Sequence, residues 1–339
     1  MSELRQNITT KEWVIIATER ARRPQEFSNQ TSQKKPLPAY EASCPFCAGN
    51  EDKTPPATFS IHGNGIWKVR VTPNKYAALV PAGDVHHHAN GIKHWMNGFG
   101  IHEVIIENPR HNAETALVPD EQVADIIRTY RERYLDALKD EHIELVTIFK
   151  NHGESAGTSL EHPHSQLIAT PVVPLYIRQR ITEAMNYFDE HGTCVFCEMI
   201  GEEMRLRERI IEETDDFVAF ILYAAPSPFH IWIVPKKHGA SFGGIDDAQV
   251  TGLAAILKNV LARLYIGLNN PDYNYVIRSI PGQVRKNDFY HWYLSIVPRI
   301  VKTAGFELGS GIYINTALPE KSAEFLRNVR IETVSQSTF

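Results

Sequence analysis

Four cysteines in 339 residues, no apolar run close to the length of a membrane span, and no extended basic tract remove several classes of protein at the outset. The most apolar segment, residues 217–223, falls far short of the ~20 residues a spanning helix needs. Residues 1–5 are polar and no signal-peptide core follows them, so a cytoplasmic protein with no membrane partner is expected. The formal net charge of −5 offers no general attraction to a phosphodiester backbone, and nucleic acid is not an expected partner. No G-x-x-x-x-G-K-[ST] loop is present, which removes the P-loop kinases and ATPases. The cysteines fall as two C-x-x-C pairs, Cys44/Cys47 and Cys194/Cys197, which in a cytosolic chain read as metal ligands or redox centres rather than disulfides. With 43% hydrophobic and 22% charged residues the composition is that of a soluble globular protein, and the length implies about two domains.

The chemistry is concentrated in residues 150–166. Small residues from Gly153 to Ser159 would let backbone N–H groups approach a phosphate closely, and they are followed at once by His162-Pro163-His164. His162, His164 and Gln166 alternate at the entry to a strand, so their side chains share one face. Neutral imidazole is a competent nucleophile near physiological pH, and its attack on phosphorus splits one difficult transfer into two easier ones. A glutamine in the third place can hydrogen-bond phosphate oxygens but cannot protonate a leaving group or activate water, which favours passing a group on over hydrolysing it. An isolated H-P-H is usually an ordinary loop; the glycine-rich lead-in, Gln166 and the cysteine pairs together favour chemistry here.

This segment resembles the galactose-1-phosphate uridylyltransferase family of the histidine triad superfamily, in which an Asn, a glycine-rich turn and a Ser precede H-P-H-x-Q. Asn151, Gly157, Ser159, His162, His164 and Gln166 occupy those places. The lead-in, with Gly305-Phe306-Glu307-Leu308-Gly309-Ser310-Gly311, is closer to the branch that includes plant ADP-glucose phosphorylase than to the enterobacterial enzymes. The resemblance implies an α+β fold of two tandem histidine-triad-like domains, mainly antiparallel sheets with flanking helices, in a homodimer. Residues 1–175 would form the catalytic domain and 176–339 a degenerate copy. It also implies ping-pong transfer, with His164 carrying a nucleoside monophosphate covalently. In that scheme the turn around Gly157 and Thr158, Ser159 and Gln166 hold phosphate oxygens, while Asn74 and Asn151 address the nucleoside. An Arg-Pro near the nucleotide phosphates corresponds to Arg23-Pro24. In the uridylyltransferases an aspartate follows the position of Asn74; here Lys75 follows it, which leaves the base open.

Two thiolates spaced as Cys44 and Cys47 suit one tetrahedral zinc that needs two more ligands. His111 and His162 are the candidates, and the resemblance names both positions. No thioredoxin-like strand-to-helix context supports a redox role for this pair. His86-His87-His88 reads as a solvated loop, because three consecutive side chains do not converge easily on one ion. Residues 67–80 and 102–107 read as strands, and Pro119-Asp120-Glu121 opens a helix whose apolar face is Val123, Ile126, Ile127, Tyr130, Tyr134, Leu135 and Leu138.

The second half repeats the first. The cysteine pair recurs 150 positions on, His111 and Gln122 recur 127 positions on as His238 and Gln249, and His162 recurs 129 positions on as His291. A second zinc site on Cys194, Cys197, His238 and His291 is therefore expected, whereas Tyr293 stands where His164 does and Ser295 where Gln166 does. In family uridylyltransferases a lysine and a Gly-Tyr-Glu near the end reach the sugar phosphate of the neighbouring subunit. Lys302, Phe306 and Glu307 are the matching acceptor candidates, with phenylalanine in place of tyrosine.

The expected activity is nucleotidyl transfer from a nucleotide sugar to a sugar phosphate or phosphate, with UDP-glucose:hexose-1-phosphate uridylyl transfer first. Adenylyl relatives follow: ADP-glucose phosphorolysis, or transfer from adenylyl sulfate to phosphate. A zinc-organised binding module without catalysis is the reading from another class, disfavoured by the acidic charge and the H-P-H-x-Q segment.

Overall fold

Short β-branched stretches separated by turn residues give the chain its strands, and two long apolar-faced segments give it the helices that cover them. The computed structural model describes residues 2–18, 23–28, 34, 36–282, 284 and 287–331. In chain order the first half runs β1 (Glu3–Gln6), β2 (Trp13–Ile16), α1 (Pro24–Ser28), β3 (Phe59–Gly63), β4 (Ile66–Pro73), β5 (His88–Asn90), β6 (Lys93–Trp95), β7 (Ile101–Ile106), α2 (Asp120–Ala137), β8 (Leu145–His152) and β9 (His164–Thr170). The second half runs α3 (Leu175–His191), α4 (Val195–Leu206), β10 (Ile210–Glu213), β11 (Phe217–Ile221), β12 (Ile231–Pro235), α5 (Asp247–Gly267), β13 (Tyr273–Arg278), β14 (Tyr293–Pro298), α6 (Gly305–Ser310), β15 (Tyr313–Asn315) and α7 (Pro319–Asn328).

Ten strands form one antiparallel sheet in the order β10-β11-β12-β14-β13-β8-β9-β7-β4-β3. The five on either side of the β8–β13 seam repeat one another, β9 answering to β14 and β7 to β12. The expected α+β class with large antiparallel sheets is what the chain adopts. The two repeats are not separate bodies, however: β8 pairs with β13 from His152↔Tyr273 to Ile148↔Ile277, and one buried core runs through both. The N-terminal hairpin β1–β2 also crosses over, β2 pairing in parallel with β15.

One face of the sheet is covered by α2 and α5, which pack on each other. Val123, Ile126, Ile127, Tyr130 and Tyr134 of α2 are buried with Val69, Val71, Ile105 and Leu167 of the sheet, a burial of ~2 kcal/mol for each large side chain. Leu135, expected on that face, is 42% exposed. Helix α5 corrects the expectation that no segment is long enough to span a bilayer, since its 21 residues are apolar and long enough by composition. Its Val250, Leu253, Leu257, Val260 and Leu261 are buried in the core, so it is apolar because sheet and helices surround it. Asp246 caps it, accepting from the Gln249 amide at 2.8 Å while Gln249 Oε1 accepts from the Asp246 amide. The matching Gln122 instead donates to the carbonyls of Glu107 and Lys68, tying α2 to two strands. Of the three consecutive histidines, His86 is solvated beside Asp84, while His88 starts the β5–β6 hairpin and stacks on Trp95.

Candidate active site

The hydroxyls of Tyr130 and Ser165 are hydrogen-bonded to each other, so Ser165 faces the helices and its neighbours His164 and Gln166 face away from them. Register places Ile106 opposite His164 and Val104 opposite Gln166 on that open face. Before β9, the chain turns through Gly153 (φ +84°) and Gly157 (φ +85°) around a single short turn of helix. At Gly153 a β-carbon would lie 1.8 Å from Asp272 Oδ1, so the close approach of that carboxylate admits glycine alone. Asp272 accepts from the Ser155 amide at 2.7 Å and pairs with Lys34, which fixes the turn from the second half of the chain.

Nδ1–H of His164 donates to the carbonyl of His162 at 2.8 Å, leaving the Nε2 lone pair free. The ring is 6% exposed and meets Phe46 edge-on at 5.3 Å. Burial lowers its pKa from the ordinary histidine value, aided by the Lys150 ammonium and only partly opposed by the His162 carbonyl. It is therefore a neutral imidazole at physiological pH. Gln166 is oriented by a residue the sequence reading missed: the Ala78 amide donates to Nδ1 of His102, so Nε2 carries the proton and donates to Gln166 Oε1 at 2.8 Å. Asn74 lies against the same oxygen at 3.4 Å. With Oε1 occupied, the amide NH2 of Gln166 is the end left for a phosphate oxygen. Asn151 accepts from Asn274 at 2.8 Å, and Asn274 also donates to Ala156 O, holding the turn against β13. The Thr158 hydroxyl donates to Leu160 O, and Ser159 is exposed at the end of the turn.

Beneath β9, on the helix side, Glu107 is 1% exposed and bonded to Lys150, Ser165, Tyr130 (2.8 Å), Thr115 (3.3 Å) and Tyr275 (3.4 Å). Burial by itself would raise its pKa, but the Lys150 ammonium and the hydroxyl donors hold the carboxyl below its ordinary value. Both tyrosines are pushed well above theirs by burial and by the Glu107 charge, so they remain donors.

Cys44, Cys47, His111 and His162 are all buried, with donor atoms all within 4.8 Å of one another. Nδ1 of His111 and of His162 lie 3.6 and 3.7 Å from Cys47 Sγ, close to the ~3.5 Å nitrogen–sulfur edge that zinc bond lengths give a tetrahedron. Nε2–H of His162 donates to Asn108 O at 2.8 Å, which leaves Nδ1 unprotonated toward the cluster. These residues fit a structural zinc that would fasten the start of β9 to the C-x-x-C loop. In the second half Cys194, Cys197 and His238 come together, Cys197 Sγ lying 3.2 Å from His238 Nδ1. The expected fourth ligand is not in that group: His291 turns Nδ1 to the carbonyl of Trp292 at 2.9 Å, and its buried Nε2 has no partner.

The remaining expected residues lie elsewhere in the chain. Arg23 sits on a cavity of about 620 Å³ with Phe325 and Asn328 of α7. Arg20 and Arg22, which precede it in the sequence, fall outside the described residues. Lys302 and Glu307 line a separate cavity of about 290 Å³, and Phe306, next to them on α6, is half exposed. The chain by itself therefore assembles His164, Gln166, Asn74 and the glycine-rich turn, but not Arg23 or the acceptor residues.

Residues 1–174 match the family described as galactose-1-phosphate uridyl transferase, N-terminal domain, and residues 180–328 match its C-terminal domain. ADP-glucose phosphorylase of Arabidopsis thaliana is 36% identical over 335 residues, covering 97% of this chain and 93% of the relative. Galactose-1-phosphate uridylyltransferase of Thermotoga maritima is 26% identical, covering 98% and 100%. Among solved structures, the Arabidopsis ADP-glucose phosphorylase with bound ADP-glucose superposes with a TM-score of 0.83 at 34% identity over 98% of this chain and all of the other. A uridylyltransferase gives 0.74 at 25% identity, covering 96% and 97%.

Proposed function

The chain belongs to the galactose-1-phosphate uridylyltransferase family of nucleotidyltransferases, and from that premise we propose that it cleaves ADP-glucose with inorganic phosphate through an adenylyl-His164 intermediate. What carries the transfer chemistry is the His164 ring: buried, neutral, with Nδ1–H committed to the His162 carbonyl and Nε2 free. In the first half-reaction Nε2 attacks the phosphorus that bears adenosine, a P–N bond forms, the P–O bond to the departing group breaks, and glucose 1-phosphate leaves. In the second, a phosphate oxygen attacks the same phosphorus, the P–N bond breaks, and ADP leaves. As Nε2 is nucleotidylated the ring turns cationic, and the His162 carbonyl accepting from Nδ1–H stabilises that charge. The amide of Gln166, locked by His102, donates to a phosphoryl oxygen without offering a base to water. The zinc that Cys44, Cys47, His111 and His162 would hold supplies structure, keeping His162 and thus its carbonyl in place.

The adenylyl reading is favoured over the uridylyl one by the relatives: 36% identity to an ADP-glucose phosphorylase against 26% to a uridylyltransferase, each over nearly the whole chain. Lys75, where the uridylyltransferases carry aspartate, agrees with a different nucleoside contact. We infer that Lys302, Phe306 and Glu307 act in trans in a cytoplasmic homodimer, a reading supported by Lys302 and Glu307 lining a cavity whose walls do not include His164. The test is intact mass after brief incubation with ADP-glucose, UDP-glucose or adenylyl sulfate, for wild type and His164→Ala. An adenylyl increment from ADP-glucose that vanishes in the variant is expected. A uridylyl increment from UDP-glucose alone would return the protein to hexose-1-phosphate uridylyl transfer, and no increment from any donor would sink the covalent scheme.

A further inference from the structure

The sheet carries a second polar constellation on the face that holds His164, at the repeat-related place in the other half. His102 on β7 bonds Gln166 on β9 at 2.8 Å, and His230, just before β12, bonds Ser295 on β14 at the same 2.8 Å. Phe46 of the first C-x-x-C packs on His164, and Phe196 of the second packs on Tyr293. The nucleophile's place is taken by Tyr293, whose ring stacks on Trp232 at 3.9 Å and whose hydroxyl accepts from Arg180 at 2.8 Å. The counterpart of the catalytic centre has lost its imidazole but not its polar framework.

A cavity of about 290 Å³ opens there, lined by Arg180, Ser227, His230, Arg299 and Lys302 among others. Arg180 Nε, Ser227 Oγ and His230 Nδ1 are buried with no hydrogen-bond partner, three of only seven such atoms among the described residues. Burying an unpaired polar atom is costly, and the three residues that carry these atoms line one cavity. His230 is held neutral, pushed down to about 3 by burial and by the Arg180 and Arg278 charges; in the tautomer in which Ser295 donates to its Nε2, its Nδ1–H is a donor. Arg180 Nε–H is a charged donor and the Ser227 hydroxyl a third. Three cationic side chains line the cavity against the carboxylates Glu12 and Glu307, and Glu12 is engaged with Arg180 at 3.3 Å. Phe229, fully buried immediately before His230, is held at φ +58°, a left-handed backbone that a phenylalanine adopts only where the surroundings enforce it.

We propose that this cavity is a second oxyanion site, built by Arg180, Ser227 and His230 to take a phosphate group, either inorganic phosphate or the phosphate of a monoester. The cavity is several times the size of one phosphate, so it has room for the organic part of a monoester as well, and Glu12, engaged with Arg180, is the carboxylate an anion would displace. The inference does not depend on which nucleotide His164 accepts.

The experiment is equilibrium dialysis of the full chain against radiolabelled inorganic phosphate, for wild type, Arg180→Met and Ser227→Val, with His164 nucleotidylation of each variant read by intact mass. Wild type should bind one equivalent per chain beyond any held as acceptor at the His164 site, and this equivalent should weaken at least tenfold in each variant, while nucleotidylation stays at the wild-type level. That retained activity shows the variants to be folded; Ser227→Val, the smaller change, serves if Arg180→Met is not. Phosphate binding of equal stoichiometry and affinity in all three proteins overturns the proposal, and leaves the three donors to buried water. Displacement of the label by a hexose 1-phosphate below the concentration at which unlabelled phosphate acts identifies the monoester as the preferred ligand, and the reverse order identifies the free anion.

Discussion

Nδ1 of His164 lies 2.8 Å from the carbonyl oxygen of His162, two residues earlier in the bend that leads into β9. The nucleophile's tautomer is thus set by backbone rather than by a partner side chain, and no titrating group has to be in the right state for Nε2 to be free. Because burial and Lys150 lower the ring's pKa, the reactive neutral form persists below the ordinary histidine range and is lost only as pH falls through the lowered value. The single-turnover rate of His164 nucleotidylation should stay level from pH 8 down through pH 6.5 and decline only in more acid buffer. A half-maximal rate at or above pH 6.5 would contradict the assignment.

His102 carries the orientation of Gln166; its Nδ1 also accepts from the Ala78 amide at 3.0 Å, and Asn74 Nδ2 lies 3.1 Å from its Nε2. Replacing it with phenylalanine should slow nucleotidylation by about 10- to 100-fold, the usual cost of disturbing a residue that positions a reacting group. Binding of the donor should change less than the rate. Equal losses in both would show His102 to be structural.

Gly153→Ala forces a methyl into Asp272 and a strained φ together, whereas Gly192, at φ +72° with open space around it, faces only the second difficulty. Gly192→Ala should cost about 1 kcal/mol and leave transfer intact. Gly153→Ala should lose the Asp272–Ser155 contact and slow nucleotidylation more than tenfold. Matched kinetics in the two variants would remove the turn from the mechanism.

Lys150 and Glu107 are 3% and 1% exposed and satisfy each other. Glu107→Gln leaves the ammonium buried and uncompensated, a loss of about 3–5 kcal/mol in denaturant unfolding, and adding Lys150→Met should restore part of it. A double variant no more stable than Glu107→Gln would mean that the hydroxyl network, not the ion pair, sets the cost.

Elemental analysis should find zinc in the purified protein, and Cys47→Ala and Cys197→Ala should each lose a distinct share of it. The first change frees the C-x-x-C loop from His162, so it should reduce nucleotidylation strongly. The second, remote from β9, should mainly lower thermal stability. Similar activity losses would argue against a special tie between the first site and the nucleophile.

Much of this site could be read in the chain because spacing on a strand is a face: His162, His164 and Gln166 needed no tertiary information to be grouped. The cysteine pairs were equally legible, and their offset exposed the repeat. His102 was not, since one histidine in an apolar strand carries no local signal; only its recurrence 128 positions on, as His230, would have marked it. The phenylalanine inside each C-x-x-C was visible for the same reason and overlooked. That β8 pairs with β13 could not be read at all, because strand pairing across 120 residues depends on which edges are left open, and both strands read as ordinary alternating segments. The orientation of the His291 ring, with Nδ1 toward the Trp292 carbonyl, is not encoded by its position in the repeat.

The seam between β8 and β13 has a further consequence. Two like strands meeting antiparallel make the self-complementary contact by which identical chains form a two-fold dimer, and here both partners are tethered in one polypeptide. Association at that edge no longer depends on how much protein the cell makes. Either half expressed by itself would instead present a bare strand of unpaired amides and carbonyls, a template for uncontrolled pairing with others of its kind. The copy without a nucleophile therefore cannot be discarded: it is the edge on which the working half closes.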